Sequence, residues 1–117
     1  MEPAPLLIVT FFRSEAGREP VKEWLRTLSR EDRKTIGEDI KLVQFRWPLG
    51  MPLVRKLRPD LWELRSRLGD GRISRTLFTV DSGEMILLHG FVKKSQKTPE
   101  GDLTLAEKRR DLWKGER

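Results

Sequence analysis

The chain contains no cysteine and no tyrosine, and it has a single histidine among its 117 residues. Without cysteine it can form neither a disulfide framework nor a Cys-based zinc site, and nothing in its composition favours an oxidising compartment. One histidine without companion ligands is a poor metal site, so we expect no metal and no cofactor. The absence of cysteine is typical of a cytoplasmic protein, which is our expectation for localisation.

Long apolar runs are also missing. The N-terminal run at residues 6–9 is short and lacks the basic n-region and long h-region of a signal peptide, and no other stretch approaches membrane-spanning length. A chain of 117 residues is large enough for one hydrophobic core and too small for two. We therefore expect a single domain over residues 1–117, with no signal peptide and no membrane partner.

Positive charge, by contrast, is abundant and concentrated in one part of the chain. Lys and Arg number 24 against 18 Asp and Glu, which gives a formal net charge of +6. Residues 14–45 hold seven basic and seven acidic side chains, whereas residues 54–97 hold ten basic and five acidic ones. A localised basic surface favours an anionic partner such as nucleic acid, through long-range attraction and counterion release.

The first half of the chain predicts one strand followed by two helices. Residues 6–12 are apolar, β-branched and aromatic, a composition typical of a buried strand. Pro20 suits the first position of a helix, and apolar residues at helical spacing follow it. Ser29 is a candidate N-cap for a second helix, which Trp47 and Pro48 should end.

The second half predicts strands. Short apolar segments occur at 53–57, 61–68, 72–81 and 85–93, separated by turn residues, and Thr104 is a candidate cap for a last helix. We expect an α+β fold in which an antiparallel sheet is made from the N-terminal strand and a C-terminal meander. The two N-terminal helices should pack on one face of that sheet.

Basic side chains recur within these predicted strands. Alternation along 61–68 places Trp62 on the core face and Arg65 on a charged, open face. If the strand registers align, Arg75 on the next strand and Lys93 on the last converge with Arg65 on this open side. Cations held on strands are fixed in space, as a site that grips a phosphodiester backbone requires.

The only histidine lies in the apolar last strand. Alternation places His89 on the same face as Met85, Leu87 and Lys93. A hydrogen-bonded core histidine and a catalytic histidine are both consistent with this position.

The chemistry that such a cluster supports is RNA cleavage without a metal. Guanidinium groups match phosphate oxygens, and the RNA's own 2′-hydroxyl can attack the phosphate while a lysine or histidine transfers the proton. The sequence leaves the identity of that proton-transfer group open. We predict these catalytic residues: Arg65, Arg75, His89, Lys93 and Lys94. We predict these nucleic-acid-binding residues: Arg55, Lys56, Arg67, Arg72 and Lys97.

Simpler interpretations exist for the same residues. Arginines on an exposed strand face commonly keep a protein soluble or protect a sheet edge, and lysines at the end of a strand can simply be solvated.

Three motifs, LWELR at 61–65, RTLF at 75–78 and HGFVKKSQKTP at 89–99, resemble the phage-derived, HigB-like branch of the RelE/ParE toxin superfamily. The resemblance implies a RelE-like fold and the toxin of a type II toxin–antitoxin pair, usually a ribosome-dependent endoribonuclease that cuts mRNA in the A site. The implied partners are the ribosome, mRNA and a cognate antitoxin, commonly one with a helix-turn-helix domain. By position, Arg65 and Arg75 match strand cations of these enzymes, and Lys93 or Lys94 matches a basic residue at the end of the last strand.

The chain departs from the family pattern at two points. Glu63 stands where the best-known RelE-like enzymes have a lysine, and the role of a C-terminal tyrosine in some relatives must be absent or filled by another residue. Two other functions fit the same fold: inhibition of DNA gyrase, as in ParE-type relatives, and nucleic-acid binding without catalysis.

Overall fold

The structure is a computed structural model that describes residues 3–93 and 97–115, with the backbone alone at Lys93. Its elements, in chain order, are β1 (Ile8–Phe11), α1 (Pro20–Arg26), α2 (Arg30–Arg46), β2 (Val54–Arg58), β3 (Leu61–Arg67), a 3₁₀ turn (Gly69–Gly71), β4 (Ile73–Asp81), β5 (Glu84–Lys93) and α3 (Glu100–Gly115). The strands form one sheet in the order β1-β5-β4-β3-β2. No helix within the described ranges has both the length and the apolar character needed to cross a bilayer.

The predicted α+β class is confirmed, with one change in strand direction. Strands β2 to β5 form the expected antiparallel meander. Strand β1 instead pairs with β5 in parallel, with Ile8 opposite Glu84 and Phe11 opposite Leu87. The sheet is therefore mixed. Helices α1 and α2 separate β1 from β2 along the chain, and β1 lies beside β5, the last strand, rather than beside β2.

The two N-terminal helices begin where local chemistry predicts. Pro20 is the first residue of α1. The Ser29 hydroxyl caps α2 by accepting a hydrogen bond from the backbone N–H of Asp32 at 3.1 Å. Helix α2 then buries Ile36 and Val43 against one face of the sheet.

The third helix packs on the opposite face, where the sequence predicted an open surface. Leu103 and Ala106, one turn apart on α3, are buried against Leu61, Leu77 and Leu88 of the sheet. The prediction of helices on one face only is therefore incomplete, and α3 begins at Glu100. Its apolar stripe is short and surrounded by charged residues, so its periodicity is weak in the sequence.

A bulge in β5 changes which residues share a face. Leu77 pairs with His89 but Phe78 pairs with Leu87, so Leu88 is the extra residue in the ladder. Met85 and Leu87 consequently pack with the α2 core, whereas His89 lies on the α3 side. The prediction that His89 shares a face with Met85 and Leu87 is wrong, because strict alternation does not survive a bulge.

Arg72 ties the turn between β3 and β4 to the first turn of α2. Its guanidinium makes a bidentate pair with Asp32, from Nη1 to Oδ2 at 2.9 Å and from Nη2 to Oδ1 at 3.2 Å. Its Nε donates to the Gly69 carbonyl at 3.1 Å. The hydrogen bond from Arg72 holds the pKa of the Asp32 carboxyl below its ordinary value of 3.8, against the opposing effect of partial burial.

This pair predicts an acid-sensitive component of stability. A carboxyl whose pKa is lowered on folding contributes stability above its ordinary pKa and loses it as the pH falls through the folded pKa. We expect Asp32→Asn to be less stable than the wild type at neutral pH, and the difference to shrink as the pH falls below 3.8. Urea unfolding across a pH series measures this, and Arg72→Gln should give the same profile. An unchanged pH dependence in Asp32→Asn would contradict the assignment.

Gly90 lets Trp24 of α1 lie directly against β5. A Cβ at position 90 would stand 2.2 Å from Cε3 of the Trp24 ring, far inside contact distance. Gly37, on the exposed side of α2, has open space around it.

These two glycines form a matched pair for mutation. We expect Gly90→Ala to destabilise the fold by about 1–3 kcal/mol, because the indole must move out of its packed position. Gly37→Ala should stabilise it by up to about 1 kcal/mol through helix propensity. Chemical denaturation followed by tryptophan fluorescence measures both, and equal stability of the two variants would show that Trp24 does not pack as described.

Candidate nucleic-acid interface

Strand pairing brings four arginines onto one face of the sheet, at the end that α3 does not cover. Arg55 of β2 lies opposite Glu63 of β3, and Arg65 lies opposite Arg75 of β4. Arg67 follows Arg65 on the same side of β3. The predicted convergence of Arg65 and Arg75 depended on the alignment of β3 with β4, and the structure has that alignment. We call Arg55, Arg65, Arg67 and Arg75 the arginine cluster.

Arg75, however, forms the buried floor of the cluster rather than part of its surface. The residue is 0% exposed, so its predicted position on the open side is wrong. Its Nη1 donates a hydrogen bond to Oγ1 of Thr98 at 3.2 Å, and the Thr98 hydroxyl donates to Oε2 of Glu63. Glu63 is 1% exposed and Thr98 6%. Together these three form the Glu63–Thr98–Arg75 network, which the chain creates by folding back over the sheet before α3.

Electrostatics explain why Glu63 stands at this position. Burial lowers the pKa of the Arg75 guanidinium, and the charges of Arg65 and Arg55 lower it further, while the carboxylate of Glu63 raises it. Arginine nevertheless keeps its proton in proteins, so its charge needs a nearby counter-ion. The buried carboxylate of Glu63 is therefore the counter-ion of Arg75. Arg75 can act on a ligand only through the side chains that it supports.

The accessible cations lie above this floor. Arg55 and Arg67 are exposed, and the side chain of Arg65 retains 21% exposure. Nε of Arg65 lies 3.8 Å from Oε1 of Glu63, and it makes no hydrogen bond with any described residue. The Arg65 guanidinium is thus held in place by charge and retains donors for an anion. Lys97, also exposed, precedes Thr98 directly.

Other predicted binding residues lie elsewhere. Nζ of Lys56 stands 5.7 Å from the ring centre of Trp62, on the opposite face from Arg55. Arg72 is engaged by Asp32 on the α2 side. The backbone of Lys93 pairs with Ile73 at the end of β5. The side chain of Lys93 and the whole of Lys94 lie outside the described residues.

His89 is a partly buried, hydrogen-bonded histidine. Its Nε2 lies 2.7 Å from Oδ1 of Asp102 in the first turn of α3, and its ring stands 5.4 Å from that of Phe91. Only 16% of its side chain is exposed. This geometry favours the structural interpretation of His89, in which it joins α3 to β5.

Arginines that the sequence analysis did not assign also hold α3. Arg109 donates to the Leu88 carbonyl at 2.8 Å, and burial lowers the pKa of its guanidinium. Arg58 of β2 pairs with Glu107 at 2.7 Å and with Glu100 at 2.8 Å. Much of the basic character of the chain therefore serves the fold. Within residues 3–93 and 97–115, no group of three or more Asp, Glu or His side chains could hold a metal ion.

A cleft of about 340 Å³ opens beside the arginine cluster. Arg65 and Arg67 form one side, and Thr35 and Asp39 of α2 are also part of its lining. Sequence analysis missed this cleft. The only local signal is that Thr35 and Asp39 are one helical turn apart, which places them on the same side of α2.

The Glu63–Thr98–Arg75 network predicts a clear difference between two substitutions at Thr98. Thr98→Val keeps the shape of the side chain but leaves the buried charges of Glu63 and Arg75 without their shared hydroxyl. We therefore expect the free energy of unfolding to fall by about 1–3 kcal/mol. Thr98→Ser keeps the hydroxyl and loses one methyl group, which should lower the free energy of unfolding by about 1 kcal/mol or less. Urea unfolding measures both. A valine variant as stable as the serine variant would show that the hydroxyl does not join Glu63 to Arg75.

Comparison with known proteins agrees with this architecture. Residues 23–111, well over half of the chain, match the model of the phage-derived Gp49-like protein family (DUF891), which is associated with RelE-like toxins of toxin–antitoxin systems. None of the curated proteins compared with the chain is significantly similar to it. The match covers α2, most of α3 and the whole meander that carries the arginine cluster. The chain therefore belongs to the Gp49-like family of phage-derived proteins.

Proposed function

We propose that the chain is the toxin of a type II toxin–antitoxin system, and that it acts as a ribosome-dependent endoribonuclease on mRNA. Family membership supports the toxin role. The observation that carries the enzymatic role is the placement of Arg65, a guanidinium fixed above a buried counter-charged floor and flanked by two exposed arginines. Such preorganised charge stabilises a transition state without reorganising during the reaction.

The reaction is cleavage by internal transfer. The 2′-oxygen forms a bond to the adjacent phosphorus while the bond from phosphorus to the 5′-oxygen breaks, which leaves a 2′,3′-cyclic phosphate and a 5′-hydroxyl. Negative charge builds on the non-bridging oxygens, where Arg65 and Arg67 can donate hydrogen bonds. A base takes the proton of the 2′-hydroxyl, and an acid returns one to the leaving 5′-oxygen.

Few candidate groups could transfer protons in this reaction, and this supports dependence on the ribosome. Glu63 is buried, and His89 is hydrogen-bonded to Asp102 on the α3 side. The remaining candidates are Lys93, the last residue of β5, and the later lysines Lys94 and Lys97. A lysine is almost fully protonated at neutral pH unless its pKa is lowered, so it is a poor general base there. In-line positioning of mRNA by the ribosome would therefore supply much of the acceleration.

The proposed partners follow from the same surface. A cell that carries the toxin must block its activity, and we propose that a cognate antitoxin, of the helix-turn-helix type, covers the accessible arginines of the cluster and keeps them from mRNA. The site of action is then the cytoplasm, where ribosomes translate the message.

Substitution of the exposed arginines tests the proposed function. We expect induction of the wild-type chain in bacteria to create new 5′ ends on translated messages only. Arg65→Ala and Arg67→Ala should each reduce their frequency by about 100-fold or more, as for loss of one charge-stabilising donor. Arg26→Ala, an exposed arginine on α1, is the matched control and should cut like the wild type. Thermal unfolding confirms that each variant is folded.

Each other outcome identifies a different function. Growth arrest with DNA damage signalling and no new 5′ ends would support gyrase inhibition. Binding of RNA with neither arrest nor cleavage would support a non-catalytic module.

A further inference from the structure

The cleft beside the arginine cluster has the size and chemistry of a small-ligand site. Its volume of about 340 Å³ lies at the lower end of the range for pockets that hold small molecules. Pro52, Leu53 and Ile73 provide apolar surface, and the side chains of Arg65, Arg67, Asp39 and Thr35 provide polar groups. An amphiphilic ligand of nucleotide size, with one anionic end, fits this arrangement of apolar and polar surface.

Arg65 and Arg67 give the cleft an anion-binding side. Both line it, and neither guanidinium makes a hydrogen bond with a described residue. Within the described part of the chain, the one carboxylate close to Arg65 is that of the buried Glu63, at 3.8 Å. A phosphate at this side would therefore meet two guanidinium groups with donors to spare.

Asp39 gives the cleft an acceptor pair that the arginines do not use. Its carboxylate is partly exposed and makes no ion pair or hydrogen bond with any residue that the structure describes. Thr35 adds a hydroxyl one helical turn earlier on α2. A carboxylate accepts two parallel N–H donors, and guanine is the RNA base whose Watson–Crick edge presents two adjacent ones, from N1 and N2.

We propose that this cleft binds one nucleotide of the RNA and selects guanine. The phosphate lies on Arg65 and Arg67, the base packs against Leu53 and Ile73, and the guanine N1–H and N2–H groups donate to Asp39. The Thr35 hydroxyl is placed to donate to the guanine O6. The cleft is then the subsite that selects the base beside the cleavage site, and in this respect the proposal rests on the proposed function. Asp39 is the specificity-determining residue.

Direct binding of mononucleotides tests the selection without requiring cleavage. The purified chain is titrated with the 5′-monophosphates of guanosine, adenosine, cytidine and uridine, and with inorganic phosphate, and binding is followed by NMR. We expect guanosine monophosphate to bind at least about fivefold more tightly than the other three, the lower end of what one bidentate base contact discriminates. Asp39→Asn should lose this preference and retain phosphate binding, since the arginines remain.

A neighbouring acidic residue provides the matched control. Glu38 is exposed on α2 and does not line the cleft, so Glu38→Gln should keep the guanosine preference. Equal affinity of the wild type for all four nucleotides, or a preference that survives in Asp39→Asn, would overturn the proposal.

The outcomes separate this proposal from the proposed function. Guanosine selection by a chain that cuts no mRNA would support the subsite and reject the nuclease. Cleavage of translated mRNA together with equal nucleotide affinities would support the nuclease and overturn the subsite.

Discussion

The buried Glu63–Thr98–Arg75 network is the interaction on which the rest of this molecule depends. It joins β3, β4 and the segment that precedes α3 through one hydroxyl between two charged groups. Removing one partner of a buried ion pair typically costs about 3–5 kcal/mol, because the other charge is left uncompensated. Since α3 begins two residues after Thr98, the network also fixes where that helix crosses the sheet and hence where Leu103 and Ala106 meet the second core.

The same network sorts the cations of the sheet into layers. Arg75 lies underneath and is neutralised by Glu63, Arg65 lies above it, and Arg55 and Arg67 reach solvent. A flexible basic surface would have to reorganise around an incoming phosphate, whereas these side chains project from three hydrogen-bonded strands and share one support. The fold thereby converts an excess of positive charge into a site with defined geometry. Other cations, such as Arg72 and Arg109, join elements of the fold through their hydrogen bonds.

Local patterns in the sequence were sufficient for most of the architecture. Pro20, Ser29 and the alternation along β3 each act through neighbouring residues, so the first two helices and the meander could be predicted. The register that places Arg65 opposite Arg75 was only a condition of the predicted site, and the structure meets it. The parallel direction of β1 depends on contacts distant in the chain and could not. The bulge at Leu88 shifts the parity of β5. Its one local signal is the isolated Gly90 two residues later, which equally marks the close approach of Trp24.

The candidate site was only partly predictable for the same reason. The burial of Arg75 depends on Thr98, 23 residues later, folding back over the sheet. The cleft depends on α2 lying beside the end of β3, and its Asp39 resembles any other surface carboxylate in the sequence. Residue type and spacing therefore identified which strands carry the site. Which of its residues are buried, which are accessible and which line the cleft depends on tertiary contacts.

The central claim, that this arginine face drives attack by the 2′-hydroxyl on ribosome-bound mRNA, is tested most directly by the chemistry of the cut ends. Purified chain would be added to ribosomes stalled on a defined message, and the termini of both fragments would be analysed by mass spectrometry. The account predicts a 2′,3′-cyclic phosphate on the upstream fragment and a 5′-hydroxyl on the downstream one, with neither formed by an Arg65→Ala/Arg67→Ala double variant. A 5′-phosphate terminus, or equal cutting by the double variant, would contradict it.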